Sequence, residues 1–266
     1  LNREDSFLKN YKHSSQKGYQ TKRAYLLKGE KLPPGEFGVM HGYMKIPELK
    51  KVCHAYGVSI NEYLVAVYVW SVYTECMHGM PSERPVRVAV PVNLRPYFNS
   101  ITTKNFFVMV SAEFHPTKEV YTFAEVLAIV RDNLRSQINR EHLEKLFSYN
   151  VSNEKLLAAR AVPLFLKNIA MKIVYTKSAL ANTTTITNIG NIGVDEAYRP
   201  YIKRFQIILS PSAGQNTKAT VCSYGDELTF TFSSLLKDTS VQKVFFRSLA
   251  EDGIDVEIET NGVYYD

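Results

Sequence analysis

The chain has 266 residues, 45% of them hydrophobic and 12% aromatic, which excludes intrinsic disorder and leaves enough apolar material for one large core or two small ones. Of its formal net charge of +6, +5 falls within residues 1–31, where eight lysines and arginines stand against Glu4, Asp5 and Glu30. An excess confined to one end is not the basic stripe over a folded face that nucleic-acid binding asks for; it reads as a lysine-rich, solvated leading segment.

Cys53, Cys76 and Cys222 lie far apart without CxxC spacing. That argues against a disulfide framework and a zinc site and favours a reducing compartment. The run YLVAVYVWSVY is about half the length a bilayer requires, and no charged start followed by an apolar stretch marks a secretory leader. The expectation is a soluble, cytoplasmic protein with no membrane span, metal or nucleic-acid partner. The sequence begins at Leu1 in mid-pattern, and we expect a piece of a longer protein, with residues 1–20 as a linker and 21–266 as the folded lobe.

TKRAYLLKGE predicts a strand, KLPPGE a turn, and EFGVMHGYMKI a second strand on the sheet edge that leaves His41 on the surface. PELKKVCHAY predicts a helix, with Pro47 in its first turn and Gly57 ending it. Ser59 and Glu62 form a capping box that opens NEYLVAVYVWSVYTECMHG, a helix apolar nearly all round and therefore buried. VRVAVPV has the continuous β-branched character of a central strand, and NFFVMVSAEF predicts its neighbour. Thr122 and Glu125 form a second capping box before a helix with Phe123, Val126, Leu127, Val130, Leu134 and Ile138 on one face. Two further helices are expected near 141–160 and 163–178.

After them, TTTITNIGNIGV, FQIILSPS and ATVCSYGDELTFTFSS read as strands, the last a hairpin turning at Tyr224-Gly225-Asp226. A helix near 240–251 and a final strand DVEIET complete the pattern. Roughly eight strands with five or six helices, mixed in order, predict an α/β two-layer sandwich on a mixed sheet. GxGxxG, P-loop, GxSxG and HExxH motifs are absent.

The passage VAVPVNLRPYF, a short spacer and KNFFVMVSAEF resembles the strand–Arg–loop–Asn–strand passage of the chloramphenicol-acetyltransferase-like superfamily. This group of CoA-dependent acyltransferases includes condensation domains and alcohol acetyltransferases, and PVNLRPYF…NFF resembles the bacterial alcohol-acetyltransferase-like branch most. Arg95 and Asn105-Phe106 occupy the matching positions, and TITNIGNIG resembles the family's strand-plus-glycine turn. The resemblance extends over about residues 85–235. The family's HHxxxDG signature is absent: His13, His41, His54, His78, His115 and His142 are all isolated.

The resemblance implies a C-terminal lobe of an O-acyltransferase that moves an acyl group from a thioester to a hydroxyl, with the catalytic histidine on an N-terminal lobe. It implies acyl-CoA or a phosphopantetheine thioester as donor substrate, a small alcohol as acceptor and no bound cofactor. On this reading no catalytic residue lies in the chain. Asn188, Gly190 and Ser210 are candidates for the substrate tunnel, with Gly193 beside them.

Asn93, Arg95 and Asn105 are candidates for structural or interlobe roles. Arg95 is expected to pair with a carboxylate, and the two asparagines to bridge loop backbone groups. Two alternatives stay open. A condensation-type enzyme would take its acyl group from an acyl carrier protein, docking it on the basic residues 1–31; a binding module would keep the fold without the chemistry. An apolar face left by an absent lobe would allow the chain to form a homodimer.

Overall fold

The computed structural model describes residues 6–10, 12, 22–155, 163–212 and 214–264. Most of the expected leading segment lies outside that range. Its described part is helix α1 (Ser6–Asn10), where Phe7 packs edge-on to Phe106 at 4.8 Å and to Phe147 at 5.9 Å.

Strand β1 (Gly38–Lys45) leads into α2 (Ile46–Tyr56), and α3 (Ile60–Glu75) follows. Gly57 closes α2 at φ 67°, its N–H bonded to the His54 carbonyl. The Ser59–Glu62 capping box opens α3, whose side chains from Tyr63 to Val69 are all buried. Strand β2 (Val86–Asn93), the short helix α4 (Arg95–Phe98) and strand β3 (Phe107–Phe114) come next. Helix α5 (Phe123–Gln137) starts at the Thr122–Glu125 box and buries Val126, Leu127, Val130 and Leu134. Helices α6 (Arg140–Lys155) and α7 (Leu164–Leu180) lead to strand β4 (Thr184–Asn191). The hairpin of β5 (Thr217–Tyr224) and β6 (Glu227–Ser234), then helix α8 (Ser240–Glu251) and strand β7 (Val256–Thr260), complete the order.

The strands form a seven-stranded mixed sheet in the order β3-β2-β4-β5-β6-β1-β7. Strands β2, β4 and β5 run parallel, and the remaining pairs are antiparallel. One face carries Val88, Val90, Ile186, Val221, Phe230, Phe232 and Met44 into the core against α3, α5 and α8. Gly42 is part of that packing, since a Cβ there would lie 2.2 Å from the Phe246 ring of α8; only glycine allows this approach.

The opposite face is lined with hydroxyls, and here two predicted strands are corrected. FQIILSPS does not join the sheet, because β5 and β6 are already paired along both edges. Residues 202–211 instead run extended over that face, where Cys222, Thr220 and Ser233 side chains donate to the carbonyls of Phe205, Ile207 and Leu209. Residues 22–30 also form no strand. Their backbone bonds go singly to different segments, as Ala24 N–H to Leu180 and Tyr25 N–H to Pro85 show.

His41 is a third correction. Strand β1 lies between β6 and β7, so His41 is buried, with Nδ1 2.8 Å from Thr231 Oγ1. Burial depresses its pKa, against the pull of Glu259. Cys222 is the small buried residue expected of it, and its thiol pKa is raised by burial.

Helix α7 departs from the rest. Leu164, Phe165, Ile169, Met171, Ile173, Val174 and Tyr175 are all exposed, although a helix apolar on every side is normally enclosed. No described helix is long and apolar enough to cross a membrane.

Candidate functional site

Because β2, β4 and β5 are parallel, their C-terminal ends share one end of the sheet. Asn93 and Arg95 therefore lie at the same end as Asn188 and Gly190, an arrangement the sequence alone does not reveal. Strands β2 and β4 pair only at Val88–Thr184 and Ala89–Thr185, and beyond those residues they have no ladder between them.

At the tip of β4 the pairing with β5 slips between Asn188 and Gly190. Asn188 Oδ1 accepts the Gly190 N–H at 2.8 Å, and Gly190 adopts φ 82°. This is a side-chain-closed turn whose left-handed residue favours glycine. A Cβ at Gly190 would meet nothing within 4 Å, so backbone conformation, not crowding, calls for the glycine. Gly193 carries neither constraint.

This turn borders a cavity of about 540 Å³ between β4, the β5–β6 hairpin and the start of α2. Ile46, Ile60, Val221 and Leu228 supply apolar lining, with Asn188, Asn191, Ser223, Lys50 and Asp226 as polar groups. Asp226 also pairs with Lys45 at 3.3 Å. Cys222 borders the cavity too; burial raises the pKa of its thiol, and its Sγ lies 3.6 Å from the Phe205 carbonyl. No histidine is among the described residues that line the cavity. The arrangement can hold a ligand with an apolar body and polar groups, and Asp226, paired with Lys45, is the carboxylate on its rim.

The other candidates lie elsewhere. Ser210 is exposed on the extended segment, its hydroxyl donating to the Pro211 carbonyl at 3.2 Å. Asn105 is exposed just before the buried Phe106. Asn93 Oδ1 accepts from both the backbone N–H and the guanidinium of Arg95 at 3.1 Å.

Arg95 is a clamp on carbonyls, not the expected carboxylate partner: Nε donates to Thr102 O at 2.9 Å and Nη2 to Lys104 O at 2.7 Å. The loop between α4 and β3 brings free carbonyls to the guanidinium, so no acid is needed. Arg95→Ala is expected to lower stability by about 1–3 kcal/mol and to speed amide exchange across residues 99–106, as hydrogen-exchange mass spectrometry would measure.

The buried arginine is Arg87, inside β2, which the sequence reading passed over. It is 5% exposed and donates through Nε and Nη2 to Glu113 at 2.9 and 2.6 Å, and through Nη1 to the carbonyls of Lys22 and Ala181. The available signal was a lone charge amid VRVAVPV with a glutamate in the following strand. No group of three or more His, Cys, Asp or Glu suited to a metal exists among the described residues.

No protein-family model and no curated protein matches the sequence. Solved structures do. The wax ester synthase/diacylglycerol acyltransferase from Marinobacter aquaeolei VT8 aligns with 88% of this chain and 52% of its own, at 15% identity and TM-score 0.50. F. sporotrichioides TRI101, solved with coenzyme A and T-2, aligns with 87% of this chain and 56% of its own, at 14% identity and TM-score 0.55. The nonribosomal peptide synthetase FmoA3 aligns over 88% of this chain and 23% of its own, at 15% identity and TM-score 0.56.

The chain shares the fold of these acyltransferase and peptide-synthetase structures. The chain spans about half the length of the wax ester synthase and TRI101. The cavity beside Asn188 lies at the C-terminal ends of the parallel strands, where open α/β sheets commonly bind ligands.

Proposed function

We propose that the chain is the C-terminal lobe of an acyl-CoA-dependent O-acyltransferase of the alcohol-acetyltransferase type. The observation that carries this reading is the shared fold over 87% of the chain with TRI101, whose structure contains coenzyme A. The Asn188–Gly190 cavity would form one wall for the pantetheine arm: Ile46, Ile60, Val221 and Leu228 match its apolar body, and the polar groups of Asn188 and Ser223 match its amides. Ser210, on the segment that crosses the sheet, would face the substrate only in the assembled enzyme. Asn93, Arg95 and Asn105 hold or border the loop at the same end of the sheet as that wall.

In the reaction, the acceptor hydroxyl oxygen attacks the thioester carbonyl as a base removes its proton. The tetrahedral intermediate then collapses, the C–S bond breaks and the thiolate leaves with a proton. On this reading the base is a histidine of a second lobe, and the described residues lining the cavity supply the wall. The apolar sides of α7 suit the surface on which that lobe, or a second copy of the chain, would pack. Three free cysteines agree with a reducing, cytoplasmic setting.

The purified chain is expected to release no free CoA thiol from acetyl-CoA in the presence of alcohols, measured with a thiol-reactive dye. Pantetheine should nevertheless perturb the NMR amide signals of Asn188, Gly190 and Ser223. Alcohol-dependent thiol release would refute the division of labour, and unperturbed signals would refute the wall. Perturbation by a phosphopantetheinylated carrier protein but not by pantetheine or CoA would move the donor to the condensation type.

A further inference from the structure

Residues 202–211 cross the hydroxyl-lined face of the sheet as an extended strap. Toward the sheet, the carbonyls of Phe205, Ile207 and Leu209 accept from Cys222, Thr220 and Ser233. To one side, the Arg204 guanidinium lies 3.7 Å over the Tyr43 ring and pairs with Glu227 and Glu257 at 3.1 and 3.2 Å. The Gln206 side-chain amide donates to Glu259 at 3.1 Å. To the other side, the Phe205 ring packs edge-on to Tyr224 at 5.2 Å. The strap is held in place by this chain alone, which lowers the cost of binding through it.

From Lys203 to Ser210, however, no backbone N–H has an acceptor among the described residues. In an extended chain the N–H and C=O of one residue point the same way, and successive residues point opposite ways. With Phe205, Ile207 and Leu209 turned to the sheet, the backbone groups of Arg204, Gln206, Ile208 and Ser210 point away from it, and they too have no backbone partner among the described residues. Such a row is what an incoming β-strand pairs with. The sheet's own edges are guarded against it. On β3, Gln137 and Asn133 side chains accept the N–H groups of Ser111 and Glu113 at 3.3 and 3.2 Å, and Gln137 donates to the Ser111 carbonyl at 2.8 Å. Strand β7 is five residues long and carries Glu257 and Glu259. Capping side chains, shortness and charge are the usual defences of an edge. The run FQIILS, from Phe205 to Ser210, carries no charge, and its Ile208 is exposed.

We infer that two copies of the chain pair strap to strap, antiparallel, about a twofold axis at Ile207. An antiparallel twofold contact is self-complementary, and this segment satisfies it. With the axis at Ile207, Gln206 stands opposite Ile208 and Arg204 opposite Ser210, so every outward-pointing residue meets another and exchanges two hydrogen bonds with it. Lys203 and Arg204 of the two copies then sit at opposite ends of the ladder, beside the uncharged Ser210 and Pro211, and like charges stay apart. Pro211, which has no N–H, ends the ladder just past Ser210. The last turns of α7 lie on this same face of the sheet, beside Met109 and Lys218, so part of the exposed apolar surface of α7 is on the side from which the second copy arrives. The inference does not rest on the thioester reading, which concerns the cavity at Asn188.

Sedimentation equilibrium of the purified chain across micromolar concentrations is expected to show a dimer. By hydrogen-exchange mass spectrometry, residues 203–210 should exchange about tenfold more slowly in the dimer than after dilution to monomer. Ile208→Pro removes an outward N–H that has no partner in the monomer, so it should weaken the dimer by about tenfold and leave the circular dichroism spectrum unchanged. Ile208→Thr keeps the N–H and the strand preference and should stay dimeric. Ile207→Cys reads the register. At the axis the two Cα atoms face each other at about 4.5 Å, within disulfide reach, so mild oxidation should join the copies through residue 207, as peptide mapping would show. Ser210→Cys, opposite Arg204, should not cross-link.

A monomer throughout that concentration range would overturn the proposal and leave the edge to a strand of another lobe or protein. A dimer that Ile208→Pro leaves intact, or one whose residues 203–210 exchange as fast as in the monomer, would place the contact on another surface such as α7 and overturn it as well. So would an Ile207→Cys dimer that does not cross-link through residue 207.

Discussion

Arg87→Ala is expected to destabilise the chain by about 3–5 kcal/mol, the cost typical of breaking a buried ion pair from one side. The loss extends beyond the Glu113 pair. The guanidinium also holds the carbonyls of Lys22 and Ala181, so one side chain ties β2 to β3, to the segment before β1 and to the end of α7. Its own backbone exchanges bonds with Thr183, N–H to Oγ1 at 3.0 Å and carbonyl to N–H at 2.7 Å. These contacts cluster where β2 and β4 share only two paired positions, the weakest seam of the sheet and the one leading to the candidate site.

Glu113→Gln should cost only about 1 kcal/mol, because that carboxylate is 42% exposed and water replaces part of what it loses. Urea denaturation of both variants checks the asymmetry. A loss below about 1 kcal/mol for Arg87→Ala would show that the three anchors are not held by this side chain.

The sequence was most informative where local chemistry decides structure. Ser59–Glu62 and Thr122–Glu125 each form the capping box that the S/T-x-x-E spacing announces. Gly57 ends α2 in the left-handed conformation, and Gly225 turns the last hairpin at φ 60°. The family resemblance, resting on order and spacing, led to the fold that the solved structures share. The misreadings have a common cause: a strand is defined by its partners. FQIILSPS has strand composition, yet both neighbouring strands were already paired, so it was left to side-chain hydroxyls. EFGVMHGYMKI was legible as a strand but not as an interior one, because β7, arriving more than two hundred residues later, covers it. For the same reason Arg87 escaped notice, since its partners at Lys22, Glu113 and Ala181 are distant in sequence. Asn188 and Gly190 were legible from the turn they make; the cavity beside them needs the hairpin and α2.

Glu62 should give the clearest pH signature. It is 8% exposed and accepts from Arg135 Nε at 2.8 Å and Nη2 at 3.0 Å and from the Ser59 N–H at 2.7 Å. Burial pushes its pKa up, but the Arg135 and Ser59 bonds outweigh burial and hold it below the ordinary value of 4.5. A carboxylate whose folded pKa is depressed stabilises the fold fully above its unfolded value and loses that contribution as pH falls through the folded one. Glu62→Gln keeps an oxygen for Ser59 but gives up the charge facing Arg135, so it should cost about 1–2 kcal/mol at neutral pH.

As pH drops below 4.5 the wild-type advantage should shrink toward zero, because the protonated glutamic acid becomes the near-equivalent of glutamine. Glu62→Ala loses the cap as well and should cost about 2–4 kcal/mol. Other carboxylates are also held below their ordinary values by neighbouring cations, Glu125 by Lys118, Asp132 by Arg131 and Glu257 by Arg204. The quantity to follow is therefore the difference in unfolding free energy between wild type and Glu62→Gln from pH 7 to pH 3. A difference that stays constant across that range would mean that the Glu62 charge contributes nothing to holding α5 against α3.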